Sequence, residues 1–585
     1  MLHITKKIRK SNVQSDSVTK TVECNPSDQT IGRAIPQSID FGNPAVYELL
    51  SSTAKAYPKN ECVYYNGTKM TYGEVDEASS RFASALASIG VQKGDRVAIF
   101  LPNIPQFVIS YFGILKAGAT VVPCSIMYKG RELEHQLSDS GANFIVASKD
   151  VVKEKSRKDG KKSKSYNDLY KSVDECRKNL DITVVTTSVT SYLPGLKRKL
   201  SRLGGIRKVE RQGTFDFSRL IKLNKPIEQL PDVKSRDDVA VLQYTGGTTG
   251  VSKGAMLTHY NLYSNAAYVS ISFPMTKEDV SLCILPLYHI YGMTATMNSA
   301  LYAGAKIVLL PKLHLKELMK TIQDQKVTAF CAVPAIYGLI NDNPESRKYD
   351  LRSVRVCMSG GMELDATIRD KFVSLTGAKL VEGYGLSEAS PVTHSNPLDG
   401  RAVKDGSVGI PITDTEARIV DPDDPTKVFA SGEIGELAIK GPQVMKGYWN
   451  MEEETKRVLR DGWLLTGDLA KVDNAGYFYI VSRKKDMINV GGLKVYPREV
   501  ESVLFENNAV KDVAVVSMPD KFSGEVVKAF VVLKENNTNV TEKEIIEYCT
   551  ERLAKYKVPK SVEFVDVLPK SMIGKVLRRE LRNGA

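Results

Sequence analysis

Helical and extended patterns alternate between Thr71 and Ala147, and this alternation constrains the fold of the 585-residue chain more than any other feature. Val75, Phe82, Leu86 and Ile89 share one helical face, Gly90 stops that helix, and Arg96-Val-Ala-Ile-Phe100 follows as a strand. Phe107 to Ala117 reads as the next helix, Thr120-Val-Val122 as a strand, Arg131 to Ser140 as a helix and Phe144-Ile-Val-Ala147 as a strand. Strands separated by helices predict a layered α/β fold with a largely parallel sheet. The length exceeds what one core holds and predicts at least two domains.

Val239-Ala-Val-Leu242 is short and apolar, a buried strand, and YTGGTTGVSKG (Tyr244 to Gly254) hangs at its carboxyl end, where open α/β sheets place their ligands. Gly246, Gly247 and Gly250 let backbone amides approach an anion, Thr245, Thr248 and Thr249 add hydroxyl donors, and Lys253 adds a point charge. Such a loop suits phosphates. It is not a Walker A motif, because Lys253 precedes its glycine and no Ser or Thr follows, which disfavours kinases and AAA-type ATPases.

YTGGTTGVSKG resembles the signature of the adenylate-forming superfamily, which includes acyl-CoA synthetases, luciferases and peptide-synthetase adenylation domains. Further motifs follow in family order up to Lys575, so the resemblance covers nearly the whole chain. Gly383-Tyr-Gly-Leu-Ser-Glu388 resembles GYGxTE with serine for threonine. It implies that Tyr384, between Gly383 and Gly385, stacks on adenine, that Ser387 donates to the phosphates and that Glu388 binds Mg²⁺. Ser359-Gly-Gly-Met-Glu-Leu364 resembles the adenine-side SGGxxL, where Gly360 and Gly361 admit the flat base; Met362 and Glu363 replace the commoner Ala-Pro. Gly361 and Gly385 are also expected beside the acid.

DGWLLTGD resembles the segment whose last carboxylate, here Asp468, accepts both ribose hydroxyls. Arg483 falls where the family has a ribose-contacting arginine, and Lys485 at its hinge. PKSMIGK resembles PKxxxGK and gives Lys575 the catalytic role: a cation bridging carboxylate and α-phosphate is favoured more as the transition state forms. The resemblance also brings the Gly491-Gly492 loop toward the pantetheine of CoA as the small domain rotates. His289, in LPLYHIYGM, reads either as a lining of the acid cavity or as a core histidine.

The net charge of +13 favours anionic partners, and no RNA- or DNA-binding motif accompanies it, so nucleic acid is not expected. Eight scattered cysteines without a CxxC pair and six ungrouped histidines predict a reduced, cytoplasmic protein without structural zinc. Lys153 to Ser165 reads as a charged surface loop. In YLPGLKRKLSRL, Leu193, Leu196, Leu200 and Leu203 form a stripe beside basic residues, either a membrane-surface helix or a core-docked one. No apolar run of about 18 residues predicts a spanning helix.

These readings predict an α/β protein with an adenylation domain at 1–482, containing layered α/β parts and a small β-barrel-like part, a hinge at 483–485 and a mobile α+β domain at 486–585. Its expected activity is that of a medium- or long-chain fatty acid–CoA ligase using ATP, Mg²⁺ and coenzyme A, as a monomer or homodimer with peripheral contact to anionic membrane. The alternatives are an aryl or short-chain acid–CoA ligase, an acyl-AMP ligase loading a carrier protein, and a nucleotide-binding regulator.

Overall fold

Two sheets sandwich apolar helices in the larger, amino-terminal part of the chain. The structure, a computed structural model, describes residues 38–158, 161–168, 170–203, 206–245, 252–535, 539–570, 574 and 576–583. One sheet runs in the spatial order Phe215–Asp216, Thr183–Thr187, Phe144–Ser148, Arg96–Phe100, Thr120–Pro123, Val239–Thr245, Lys253–Thr258. Neighbours are parallel until the last pair, which is antiparallel. The second sheet has nine strands, with a parallel centre from Glu61–Tyr65 through Val356–Ser359 to Lys379–Gly385 and antiparallel edges.

The alternation read from sequence is present. Helix Tyr72–Ser88 opens on a capping box, in which Thr71 Oγ1 accepts from the Glu74 amide and Glu74 Oε2 accepts from the Thr71 amide. Gly90 takes φ +104° just past its end, where a side chain would be strained. Helix Pro105–Lys116 is buried on every side, as expected of an apolar helix held between layers, and Pro105 starts it two residues before the sequence pattern does. Each fully buried Leu, Ile, Val or Phe in this core contributes about 1.5–3 kcal/mol.

Sequence and structure differ in the basic region. Lys153–Ser165 is a β-hairpin rather than a loop: Asp150–Lys158 and Lys161–Asp168 pair antiparallel, and Ile206–Lys208 joins the other edge of Asp150–Lys158. High charge masked the signal, since Asp-Gly, the sequence between the two strands, is a dipeptide favoured in hairpin turns and backbone pairing needs no apolar core. The leucine stripe also divides. Leu193 packs on the core, whereas helix Gly195–Leu203 leaves residues 195–200 exposed, so the core-docked reading fails for Leu196 and Leu200.

An antiparallel five-stranded sheet (Glu416–Val420, Gly435–Lys440, Leu459–Arg460, Trp463–Val472 and Phe478–Arg483) forms the small β part. The chain then enters a smaller α/β domain, in which Val510–Asp520 and Gly524–Leu533 pair along their length and helices Pro497–Phe505 and Glu542–Thr550 pack on them. Ile488, Val500, Leu504, Val515 and Ile545 give it a core of its own.

Candidate active site

Strand Val239–Thr245 is buried along its centre, and Lys253–Thr258 returns beside it, so the Gly-Thr loop closes a strand–strand turn. A Walker loop would open a helix here. Ser252 Oγ donates to Thr245 O at 2.6 Å, pinning the mouth of the loop. Gly246, Gly247, Thr248, Thr249 and Gly250 lie outside the described residues. The Tyr244 hydroxyl is bonded to Asp139, whose backbone carbonyl also accepts from Trp449 Nε1 at 3.1 Å.

Lys253 does emerge among the other motifs. Its Nζ lies 2.6 Å from Glu454 Oε2 and 5.1 Å from the centre of the Tyr448 ring. Tyr448 in turn donates to Glu388 Oε1 at 2.9 Å. Burial, with the Glu388 carboxylate adding to it, pushes the Tyr448 hydroxyl far above its ordinary value, so it stays a donor. Glu388 and Ser387 sit in a single half-buried turn after strand Lys379–Gly385.

Tyr448 and Glu454 escaped the sequence reading. The available signal was the Gly-Tyr-Trp-Asn run at Gly447 to Asn450, holding one of only two tryptophans. Its backbone lies along the returning strand, with Met256 N donating to Gly447 O and Trp449 N to Gly254 O.

Asp468 is the second centre. The antiparallel register sets it opposite Arg483, whose Nε lies 2.7 Å from Oδ1, and the Tyr384 hydroxyl donates to Oδ2 at 2.6 Å. The carboxylate is nearly buried, and each oxygen retains acceptor capacity beyond these bonds. The Asp468 carboxylate raises the Arg483 guanidinium above its usual value, and burial raises the Tyr384 phenol, so neither donor is lost near neutrality. Gly385 is required by the protein itself: a Cβ there would lie 2.1 Å from Pro391 O. Gly383, in the same strand, faces Met358 and the His394 carbonyl.

Ser359-Gly-Gly joins this group through Tyr291. The Tyr291 hydroxyl donates to Met358 O at 2.8 Å, and its ring occupies the space a Cβ on Gly360 would need. Gly361 takes φ +84°. His289 is half-buried and its Nδ1 accepts from the Tyr291 amide, so the neutral ring carries its proton on Nε2. It is thus tied to the strand-end cluster rather than enclosed in the core. A π-helical stretch, Gly292–Asn298, follows at once, a feature frequent at functional sites.

The smaller domain approaches the same edge. A Cβ on Gly574 would lie 3.6 Å from Met362 Sδ and 3.9 Å from Ala335 Cβ, and Arg498 is ion-paired with Glu363. The two positions that depart from Ala-Pro therefore both face this domain. Lys575, next to Gly574, lies outside the described residues. Burial lowers the Lys485 ammonium. Gly491 and Gly492, both at positive φ, form an exposed hairpin tip bonded to Ser523 and Asn489 of their own domain, and the structure does not bring them to the Tyr384–Asp468 group.

The donor set fits a magnesium nucleotide. Glu388 has its second oxygen without a partner among the described residues, a hard ligand beside the Ser387 hydroxyl and within one tyrosine of the Lys253 cation.

Fold and site together define a two-domain α/β enzyme. The chain belongs to the AMP-binding enzyme family, whose model matches residues 50–449, with the family's C-terminal domain model matching 499–575. A long-chain-fatty-acid–CoA ligase of Bacillus subtilis is 42% identical over 94% of this chain and 96% of its own length. One from Salmonella typhimurium is 38% identical over 92% and 94%. ATP-bound MatB from Rhodopseudomonas palustris superposes with a TM-score of 0.79 at 29% identity, over 93% of this chain and 99% of its own.

Proposed function

We infer that the protein is an ATP-dependent, AMP-forming acyl-CoA synthetase acting on long-chain fatty acids, as the names of its relatives suggest. The observation that carries the nucleotide reading is the convergence of Tyr384, Asp468 and Arg483 on one side and Lys253, Tyr448 and Glu388 on the other. Asp468 accepts the ribose hydroxyls, oriented by Tyr384 and Arg483. Lys253, Ser387 and the loop amides hold the phosphates; Glu388 would hold Mg²⁺, which would supply screening of the phosphate charge. Lys253 must exchange Glu454 for phosphate as the nucleotide enters.

A fatty carboxylate oxygen then attacks the α-phosphorus, pyrophosphate leaves, and Lys575 bridges the reacting oxygens. Afterwards the CoA thiol, losing its proton, attacks the acyl carbonyl and expels AMP. No protein nucleophile is needed.

We place the domains at 1–482 and 486–585 with the hinge at 483–485. The contacts of that turn support this. Lys484 donates to Glu436 of the β part at 2.9 Å, Asp486 accepts from Arg582 of the last helix at 2.9 Å, and Lys485 lies between them with no hydrogen bond or ion pair among the described residues. Rotation brings the Gly491-Gly492 tip to the CoA side. The partners are the acid, Mg-ATP and CoA, in a monomer or homodimer with peripheral membrane contact; among the described residues no helix is long and apolar enough to cross a membrane.

The test incubates purified protein with Mg-ATP, CoA and acids from acetate to oleate plus aryl acids, reading acyl-CoA and AMP by mass spectrometry. Oleoyl-CoA with equimolar AMP is expected. Acyl-adenylate without CoA consumption would assign a carrier-protein acceptor, and absence of pyrophosphate with every acid would refute the ligase.

A further inference from the structure

The chain's positive excess is concentrated in one place. Residues 153–165 and 195–208 hold thirteen Lys and Arg against two acids, a net +11 of the total +13. Residues 1–37 add a net +3, so everything else nets −1. The backbone unites the two basic stretches, because Ile206–Lys208, just beyond helix Gly195–Leu203, hydrogen-bonds to the first strand of the lysine-rich hairpin.

On that helix every residue from Gly195 to Leu200 is exposed, Leu196 at 73% and Leu200 at 53%. One turn apart, they lie on the same side, with exposed Lys199 near that face and exposed Arg198 farther round the helix. The helix is nevertheless fixed from behind: Leu193 packs on the core, Lys197 Nζ donates to Asn66 O at 2.9 Å, and Pro194 lies against Gly67. Among the described residues nothing covers the two leucines, and the amino-terminal 37 residues carry the same sign of charge as the module, which makes them a poor cover.

We propose that this helix-and-hairpin module docks the enzyme on an anionic lipid bilayer, with Leu196 and Leu200 entering the headgroup boundary and the net positive charge of the two basic stretches drawing it to lipid phosphates. The inference gives the membrane contact of the proposed function a defined surface. Only its purpose rests on the ligase reading, since a long-chain acid partitions into bilayers and a docked enzyme meets it there. A polyanion such as nucleic acid would use the charge and leave the leucines idle. Each basic residue near an anionic surface gives roughly fivefold in partitioning, the equivalent of about 1 kcal/mol.

The experiment sediments the full chain, without substrates, with phosphatidylcholine vesicles and with phosphatidylcholine–phosphatidylglycerol vesicles at rising salt. Binding confined to the anionic vesicles and falling with salt is expected. Arg198→Glu with Lys199→Glu should weaken it by more than about tenfold, and Leu196→Ser with Leu200→Ser by several-fold, while both variants keep wild-type turnover of a soluble acid. Equal binding to both vesicles, or variants that bind like wild type, would overturn the proposal. So would a homopolymeric RNA that competes fully while binding remains indifferent to the leucine substitutions, which would assign the surface to nucleic acid. Because vesicle binding is read without turnover, a failed ligase assay leaves this result interpretable.

Discussion

His394 lies wholly buried with its ring against Tyr384 and Phe478, and burial pushes it down to about 3. His259, which accepts from the Val46 amide, is pushed down to about 4 for the same reason. Glu382, buried just before the GYG turn and accepting from the Leu364 amide, is pushed up to about 8. For the histidines the unfolded chain binds protons first, so their contribution is complete above about 6.5 and is lost as pH falls toward 4 and 3. Glu382 is protonated in the fold, so its contribution is complete below about 4.5 and is lost as pH rises through 8. Two histidines outweigh one carboxyl between these limits, and unfolding free energy should peak near pH 6.5. Urea titrations across pH check this, and Glu382→Gln should flatten the decline between pH 6.5 and 8; an unchanged decline would remove Glu382 as its source. At this scale the sequence was informative where chemistry restricts the residue type. Asp468 and Glu388 stood out because DGWLLTGD and GYGLSE resemble family motifs, and a carboxylate suits the ribose and magnesium roles proposed for them. Tyr448 and Glu454 were not, because they act through partners 60 and 201 residues away.

The turn from Arg483 to Asp486 is short, yet its contacts divide sharply, Lys484 toward the β part and Asp486 toward the last helix. Lys485→Pro should lock one arrangement, because proline fixes φ; turnover equal to wild type would take the hinge away from this residue. The contact between Arg498, at the start of helix Pro497–Phe505, and Glu363 works at the same scale. Both side chains are partly exposed, so the pair is worth only about 0.2–1 kcal/mol. That is too little to matter for folding, but a population of domain orientations shifts about 1.4- to fivefold with such a sum. Arg498→Glu should therefore slow pyrophosphate exchange by about that factor, and adding Glu363→Arg should restore it; slowing without rescue would make the pair structural only. Elements with their own period, such as helix Tyr72–Ser88, were legible in the sequence. The lysine-rich hairpin was not, since its strands carry no apolar alternation and only the Asp-Gly sequence between them signals a turn.

Across the whole molecule, the order of motifs from Tyr244 to Lys575 was readable, but their meeting was not, because no local pattern states which domain face covers the strand ends. The packing answers part of that question: Gly574 lies beside Met362, and Arg498 reaches Glu363 and donates to Ile480 O at 2.8 Å, so the smaller domain sits with the neighbour of Lys575 at the SGGMEL turn. In this arrangement the Gly491-Gly492 tip remains bonded within its own domain and exposed. On the proposed function this orientation suits adenylation, and the proposed thioester step, with the hairpin tip at CoA, calls for the domain to turn. The two steps should then separate by mutation. Lys575→Ala should reduce acid-dependent ATP–pyrophosphate exchange by about 10²-fold or more, the loss typical when a preorganised charge is removed from a transition state. The same variant, given acyl-adenylate and CoA, should form the thioester at close to the wild-type rate if, as proposed, that step proceeds with Lys575 withdrawn. Gly492→Val should do the reverse, because φ +89° is strained for a β-branched residue and, on the proposed rotation, the distorted tip meets only CoA. Equal losses in both half-reactions for both variants would mean that a single domain orientation carries the whole reaction.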